Sequence, residues 1–360
     1  MAVLVTGGAG YIGSQMVHEL LDAGERVVVL DDLSTGFRWA VPENVHFAVG
    51  DSGDQALLTR LLREHAVDAV IHFAACIVVP DSVRDPLRYY RNNTANSRAL
   101  IEAAIQCEVR HFIFSSTAAV YGSPAAVPVD EDAPTQPISP YGWSKLMTEI
   151  MLRDTSHAHS RNPHARNDGF NHVILRYFNV AGADPHGRAG QSSAAATHLI
   201  KVAAETALGL RPKVEIFGTT YPTPDGTCIR DYIHVSDLVA AHALALRHLR
   251  AGGASLTLNC GYGHGFSVRE VIETVKRVAG NNFAVEDAPA RQGDPACIVA
   301  GSQRIRDILH WQPRFDDLST IVAHALEWER QLMTRFPRGR HKGDFAEIPL
   351  KTPHYPGMQR

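Results

Sequence analysis

Six residues into the chain, Thr6-Gly-Gly-Ala-Gly-Tyr-Ile-Gly13 separates a β-branched run, Met1–Thr6, from a helical face made by Ile12, Met16, Val17, Leu20 and Leu21. Gly24 then ends the helical pattern and Arg26–Leu30 reads as a second strand. Few arrangements accept so many glycines between a strand and a helix. Gly7, Gly8, Gly10 and Gly13 permit a tight turn and close approach of backbone, and the free N–H groups at the positive helix end suit a pyrophosphate. Asp31, eighteen residues after Gly13, stands where a carboxylate accepts hydrogen bonds from ribose hydroxyls and repels a 2′-phosphate. Without the glycines, Asp31 and Asp32 would read as a solvated turn before Ser34-Thr35-Gly36. With them, the pattern predicts a dinucleotide site that favours NAD over NADP.

Short strands and helical periods keep alternating to about residue 180, with further strands expected at Val45–Val49, Ala69–Ala74, His111–Ser115 and His172–Phe178. This predicts an α/β chain, a Rossmann-type doubly wound parallel sheet with a smaller C-terminal α/β lobe. After Phe178, glycine and proline cluster in Ala181–Gly190 and Gly218–Gly226, and helical faces recur near Thr197–Leu208, Val235–Leu249, Ser267–Ala279 and Asp316–Leu332. The expected division is 1–180 for the dinucleotide domain, 181–335 for a discontinuous substrate lobe that returns in part to the first domain, and 336–360 for a peripheral tail. Ser156–Asn171 reads as a second peripheral segment, a surface loop. Its His157, His159 and His164 lack acidic or cysteine partners, so no metal site is expected.

Charge narrows the partners. A net charge of −3 gives no field that would hold nucleic acid or an anionic membrane. The five cysteines are scattered and never form C-x-x-C, and no signal segment or span of about 18 apolar residues is visible. A cytoplasmic protein is expected.

Two further motifs carry chemistry. Tyr141-Gly-Trp-Ser-Lys145 follows Ser139-Pro140, a helix start, and places Tyr141 and Lys145 on one face at i and i+4. A tyrosine with an ordinary pKa near 10 needs a neighbouring cation to act as a base near neutrality, and Lys145 supplies one. Ser115-Ser116-Thr117 ends a predicted strand, where hydroxyls face the ligand crevice of a parallel sheet.

With Val70-Ile-His-Phe-Ala-Ala75, Pro86-Leu-Arg-Tyr-Tyr-Arg-Asn-Asn93, Leu175-Arg-Tyr-Phe-Asn179 and Asp225-Gly-Thr-Cys-Ile-Arg-Asp-Tyr-Ile-His234, the chain resembles the extended short-chain dehydrogenase/reductase family to about residue 330. Within that family it is similar to the UDP-glucose 4-epimerases. The resemblance implies Tyr141 as catalytic acid/base, Lys145 as its electrostatic partner and ribose anchor, and Thr117 as a hydrogen-bonding aid at the sugar O4. It implies cofactor contacts from Gly7, Gly10, Tyr11, Ile12 and Gly13, from Asp31, Asp32, Leu33, Ser34, Thr35 and Gly36, and from Asp51, Ser52, Phe73, Ala74, Ala75, Asn92 and Phe178. Asn179, His198, Phe217, Arg230, Arg291 and Asp294 would join Thr117 and Tyr141 around a UDP-sugar.

The implied reaction is reversible inversion at C4 of UDP-glucose and UDP-galactose through a 4-keto sugar, with tightly bound NAD, in a homodimer packed through the helices around Pro86–Cys107 and Tyr141. Ala118 and Ala119 replace the carboxylates that a 4,6-dehydratase needs. UDP-xylose/UDP-arabinose and UDP-N-acetylglucosamine remain alternative substrates. Ile77 and Val79-Pro80-Asp81 depart from the common epimerase pattern, His198 stands near an expected asparagine, and Cys297 or Ile298 occupies the region where an aromatic can limit the sugar pocket. A non-catalytic dinucleotide sensor is the alternative of a different class, and the intact Tyr141, Lys145 and Thr117 count against it.

Overall fold

The computed structural model describes residues 1–160, 169–193, 196–291 and 293–335. In chain order, the first part contains β1 (Ala2–Thr6), α1 (Tyr11–Asp22), β2 (Val27–Asp31), β3 (His46–Val49), α2 (Gln55–Glu64), β4 (Val67–His72), α3 (Val79–Arg84), α4 (Pro86–Tyr89), α5 (Asn96–Gln106), β5 (His111–Thr117), α6 (Pro140–Ser160) and β6 (Asn171–Tyr177). A π-helical turn, Tyr90–Ala95, joins α4 to α5.

The second part contains β7 (Asn179–Ala181), α7 (Leu199–Ala207), β8 (Val214–Phe217), β9 (Ile229–Arg230), β10 (Tyr232–His234), α8 (Val235–Arg250), β11 (Leu256–Cys260), β12 (Phe266–Ser267), α9 (Val268–Ala279), β13 (Val285–Ala288), β14 (Cys297–Ile298), α10 (Gln303–Leu309) and α11 (Leu318–Arg335).

Seven parallel strands form the main sheet in the order β3-β2-β1-β4-β5-β6-β11. The reversal beside β1 is the topological switch point of a doubly wound sheet, and the ligand crevice opens beyond the carboxyl ends of these strands. β1 and β2 are apolar apart from their final residues and buried throughout, because helices cover both faces. Alternate residues separate two cores: Val3 and Val5 pack with Met16, Ile71 and Leu238, whereas Ala2 and Leu4 pack with Leu58, Leu100 and Leu152. The chain beyond residue 181 contributes α8 and β11 to this sheet. It also builds the short sheets β7/β10, β9/β12/β14 and β8/β13, with α7, α9 and α11 packed together.

The segment expected as a loop from Ser156 is helical as far as Ser160. The Ser156 hydroxyl donates to the Phe170 carbonyl at 2.9 Å and lies 2.7 Å from His172 Nδ1, which fastens the end of α6 to β6. His157 and His159 therefore belong to a helix, while His164 and the tail 336–360 lie outside the described residues. Among the described residues, no His, Cys, Asp or Glu cluster is arranged to hold a metal, and no helix is long and apolar enough to cross a membrane.

Candidate active site

The glycine loop is built by absence of side chains. Gly7 has φ +71°, and a Cβ there would lie 2.6 Å from Ala74 N; one at Gly13 would lie 2.0 Å from the Gly7 carbonyl oxygen. A Cβ at Gly10 meets only that same oxygen, at 3.2 Å, so its open side faces the crevice. Asp31 closes the loop from β2, accepting from Ala9 N at 2.9 Å and Leu33 N at 2.8 Å. Burial raises its carboxyl pKa while those N–H bonds oppose the rise. Asp32 accepts from Ser34 N at 2.8 Å, and Asp51 accepts from Asn96 Nδ2 at 2.6 Å, with Ser52 buried beside it.

After β4, Phe73 N donates to the Thr6 carbonyl at 3.0 Å, holding Phe73, Ala74 and Ala75 against the glycines. Asn92 and Asn93 both accept from Cys76 N, at 3.0 and 2.8 Å. A backbone cradle with a carboxylate at its far end fits a dinucleotide: N–H groups for the pyrophosphate, Asp31 for ribose hydroxyls.

The second group stands at the end of β5. Thr117 Oγ1 accepts from Ala119 N at 3.1 Å, and Thr117 is hydrogen-bonded to the Tyr141 hydroxyl. Burial raises the Tyr141 pKa and the Thr117 bond opposes it. Lys145 is buried, donates from Nζ to the Ser115 carbonyl at 2.9 Å and sits 4.9 Å from the centre of the Phe114 ring. Burial depresses its pKa to about 7, against the opposing pull of the Cys76 thiol and the Glu149 carboxylate. Tyr177 closes this corner, its hydroxyl hydrogen-bonded to Ser115.

Beneath lies a pair that the sequence reading missed. Glu149, one turn beyond Lys145, receives Arg176 as a fork, Nε to Oε1 at 3.0 Å and Nη2 to Oε2 at 2.7 Å, with both residues fully buried. Ser116 donates to the same carboxylate, and Arg176 Nη1 reaches the Tyr121 hydroxyl at 3.0 Å. Tyr121 continues to Asn259 Oδ1 at 2.7 Å. The i+4 spacing from Lys145 was the available signal for Glu149; Arg176 lies inside the motif already quoted.

The predicted substrate residues form three groups. Arg230 meets Asp294 at 3.2 Å, and the Arg291 guanidinium covers the Phe217 ring at 3.8 Å. Asn179 and His198 line a cleft with Tyr11, Gln191 and Trp328, a cleft that Tyr141 and Thr117 do not border. Ile298 packs with Ala118, Leu146 and Phe178, while Cys297 is only half-buried, so Ile298 is the one set against the Thr117 turn.

A family model described as the NAD dependent epimerase/dehydratase family matches residues 3–261. The chain belongs to that family. It is 59% identical over 330 residues, 92% of each chain, to the UDP-glucose 4-epimerase of Azospirillum brasilense. The crystal structure of the Brucella ovis UDP-glucose 4-epimerase with NAD superposes with TM-score 0.85 at 41% identity, covering 91% of this chain and 97% of that one. The UDP-Glc/GlcNAc 4-epimerase of Campylobacter jejuni gives 0.78 at 48%, covering 92% and 99%. Glycine loop and Tyr/Lys helix both lie within the matched span of this epimerase/dehydratase family member.

Proposed function

We infer that the chain is an NAD-dependent isomerase that interconverts UDP-glucose and UDP-galactose at C4. The observation that carries this reading is the convergence of Thr117, Tyr141 and Lys145 at the end of β5, two strands from the glycine loop at the end of β1. When bound, NAD supplies a hydride acceptor and donor at its nicotinamide, so the sugar is oxidised and then reduced with no net redox change.

Tyr141 and Lys145 titrate as a pair. Loss of one proton leaves the other shared between Nζ and the phenol, and the lysine-cation, tyrosinate arrangement is the base. In it Tyr141 takes the O4 proton as the C4 hydride leaves, giving a 4-keto sugar, and the same group returns the proton when hydride is delivered to the opposite face. Thr117 orients the Tyr141 hydroxyl. Arg230 and Arg291 suit the two phosphates, since guanidinium forks match phosphate oxygens. Asn179, His198, Phe217 and Asp294 complete the substrate side, and Gly7, Gly10, Tyr11, Ile12 and Gly13, the run from Asp31 to Gly36, and Asp51, Ser52, Phe73, Ala74, Ala75, Asn92 and Phe178 hold the cofactor.

Trp143, Met147 and Ile150 are exposed at i, i+4 and i+7 on α6, and Val83 and Leu87 are exposed nearby in the chain on α3 and α4. An apolar stripe of this spacing supports a second copy of the chain packed there as a homodimer. The five free cysteines accord with the cytoplasm.

The test is purified protein, with no added cofactor, incubated separately with UDP-glucose, UDP-xylose and UDP-N-acetylglucosamine, and the C4 epimers resolved. UDP-galactose formed from UDP-glucose and reduced about 10²–10⁴-fold by Tyr141→Phe is the expected result. Turnover of another sugar alone overturns the named substrate. Bound NAD without any turnover overturns the enzyme reading in favour of a sensor.

A further inference from the structure

One face of α1 is used by the second lobe. The Tyr11 hydroxyl donates to the Gly182 carbonyl at 2.7 Å, buried Gln15 donates from Nε2 to the Ala189 carbonyl at 2.6 Å, and Asp22 receives Arg188 Nη1 at 2.8 Å. The segment they grip is a short antiparallel loop. Ala183 bridges Gly190, Asp184 N donates to the Ala189 carbonyl at 3.0 Å, and the Asp184 carboxylate takes Arg188 Nε at 2.8 Å. Its far side is seated on α11, where a Cβ on Gly190 would strike the Trp328 ring at 2.5 Å. A narrow cleft remains between the two sides, with Gly10, Tyr11 and Thr35 on one wall and Gly190, Gln191 and Ser193 on the other. The start of α1, where a pyrophosphate belongs, is thus roofed by a loop from the other lobe.

We propose that the loop 183–192 is a clasp that retains the dinucleotide, and that Gln15 and the Arg188–Asp22 pair are positioning residues that keep it shut. The proposal rests on the reading of this chain as an NAD-holding epimerase. An enzyme that regenerates its own oxidant each cycle gains nothing from exchanging it. The anchors lie behind the cleft, on the helix flank, so they govern escape of the cofactor and not the chemistry at C4.

Gln15→Met keeps volume and removes the donor; Arg188→Ala removes both carboxylate contacts. Each protein is diluted, gel-filtered, denatured and assayed for released NAD, and its Tm is measured with and without added NAD. The wild type keeps NAD and its Tm ignores added NAD. Gln15→Met is expected to lose NAD about tenfold faster, the effect of one well-made buried hydrogen bond, Arg188→Ala, whose pair with Asp22 is exposed, about threefold faster, and both to show a Tm that rises with added NAD. Arg250→Ala, which cuts equally good ion pairs to Asp68 and Glu25 away from the clasp, should lower Tm and leave NAD content intact. Variants that hold NAD like the wild type, an equal loss in Arg250→Ala, or a wild type that carries no NAD would each overturn the clasp. A wild type that holds NAD but leaves UDP-glucose unchanged removes the functional reading alone, because NAD content still decides the clasp.

Discussion

The glycine loop and the α6 helix open on one crevice and are built by opposite means. The loop is held by what is missing: backbone lies on backbone at Gly7 and Gly13, and the nearest ionisable group, Asp31, has its oxygens tied to N–H donors. The helix is held by charges out of water, with Lys145 resting on the Ser115 carbonyl and Glu149 gripping Arg176 one turn further on. A cradle for an anion needs fixed N–H groups that never change state, whereas a proton-transferring pair needs a polar setting that tunes its titration. One region should therefore fail when atoms are added and the other when a charge is removed.

The largest effect should come from Glu149→Gln. The amide is nearly isosteric, so packing survives, but Arg176 is left charged and buried with half its fork unmatched. Breaking such a pair costs about 3–5 kcal/mol, and denaturant unfolding should show a loss of that size. Ser116→Ala, which removes one hydroxyl from the same carboxylate, is the mild counterpart, with an expected loss of about 1 kcal/mol. An unaltered unfolding midpoint in Glu149→Gln would mean that charge does not hold this helix in place.

Next is Gly13→Ala. The added Cβ must displace the Gly7 carbonyl from 2.0 Å, and backbone cannot swing aside as a side chain can. Overpacking of this kind costs about 1–3 kcal/mol, less than the broken ion pair, yet it should abolish copurification of NAD because the displaced groups form the cradle itself. Glu149→Gln that still folds should keep its NAD. Finding NAD lost from both, or from neither, would erase the distinction between the two regions.

The same contrast governs how much could be read beforehand. Strands β1 and β2, the loop between them and the Tyr141 helix are written in local patterns: continuous apolar runs, clustered glycines, a proline at a helix start. β9, β12 and β14 have two residues each, too short for any period, and exist only through pairing across the lobe. Glu149 and Arg176 carry charges at positions that burial statistics reserve for apolar residues, so nothing local announces that both are internal. Ser156–Ser160 read as loop because its residues are polar, and became helix because Ser156 fastens to β6. Gln15 gave no signal at all, its partner lying 174 positions away.

The smallest effect, and the finest test of the comparison, is pH. Burial lowers the Lys145 pKa from its ordinary 10.5 to about 7 and raises that of Tyr141; on the proposed sharing of one proton between the two, the site becomes competent on the alkaline side of neutrality. A group whose deprotonation creates the base gives a rate that rises with pH through that value. kcat/KM for UDP-glucose should therefore fall about twofold from pH 8 to pH 7 and approach a tenfold fall per unit below pH 6. Over the same interval NAD content should be flat, because backbone N–H groups do not titrate. In Glu149→Gln the opposing carboxylate is gone, the Lys145 cation is less favoured, and the limb should move to lower pH. A limb that stays fixed in that variant, or NAD content that follows the rate, would show that the two sides of the crevice do not divide their work between geometry and charge.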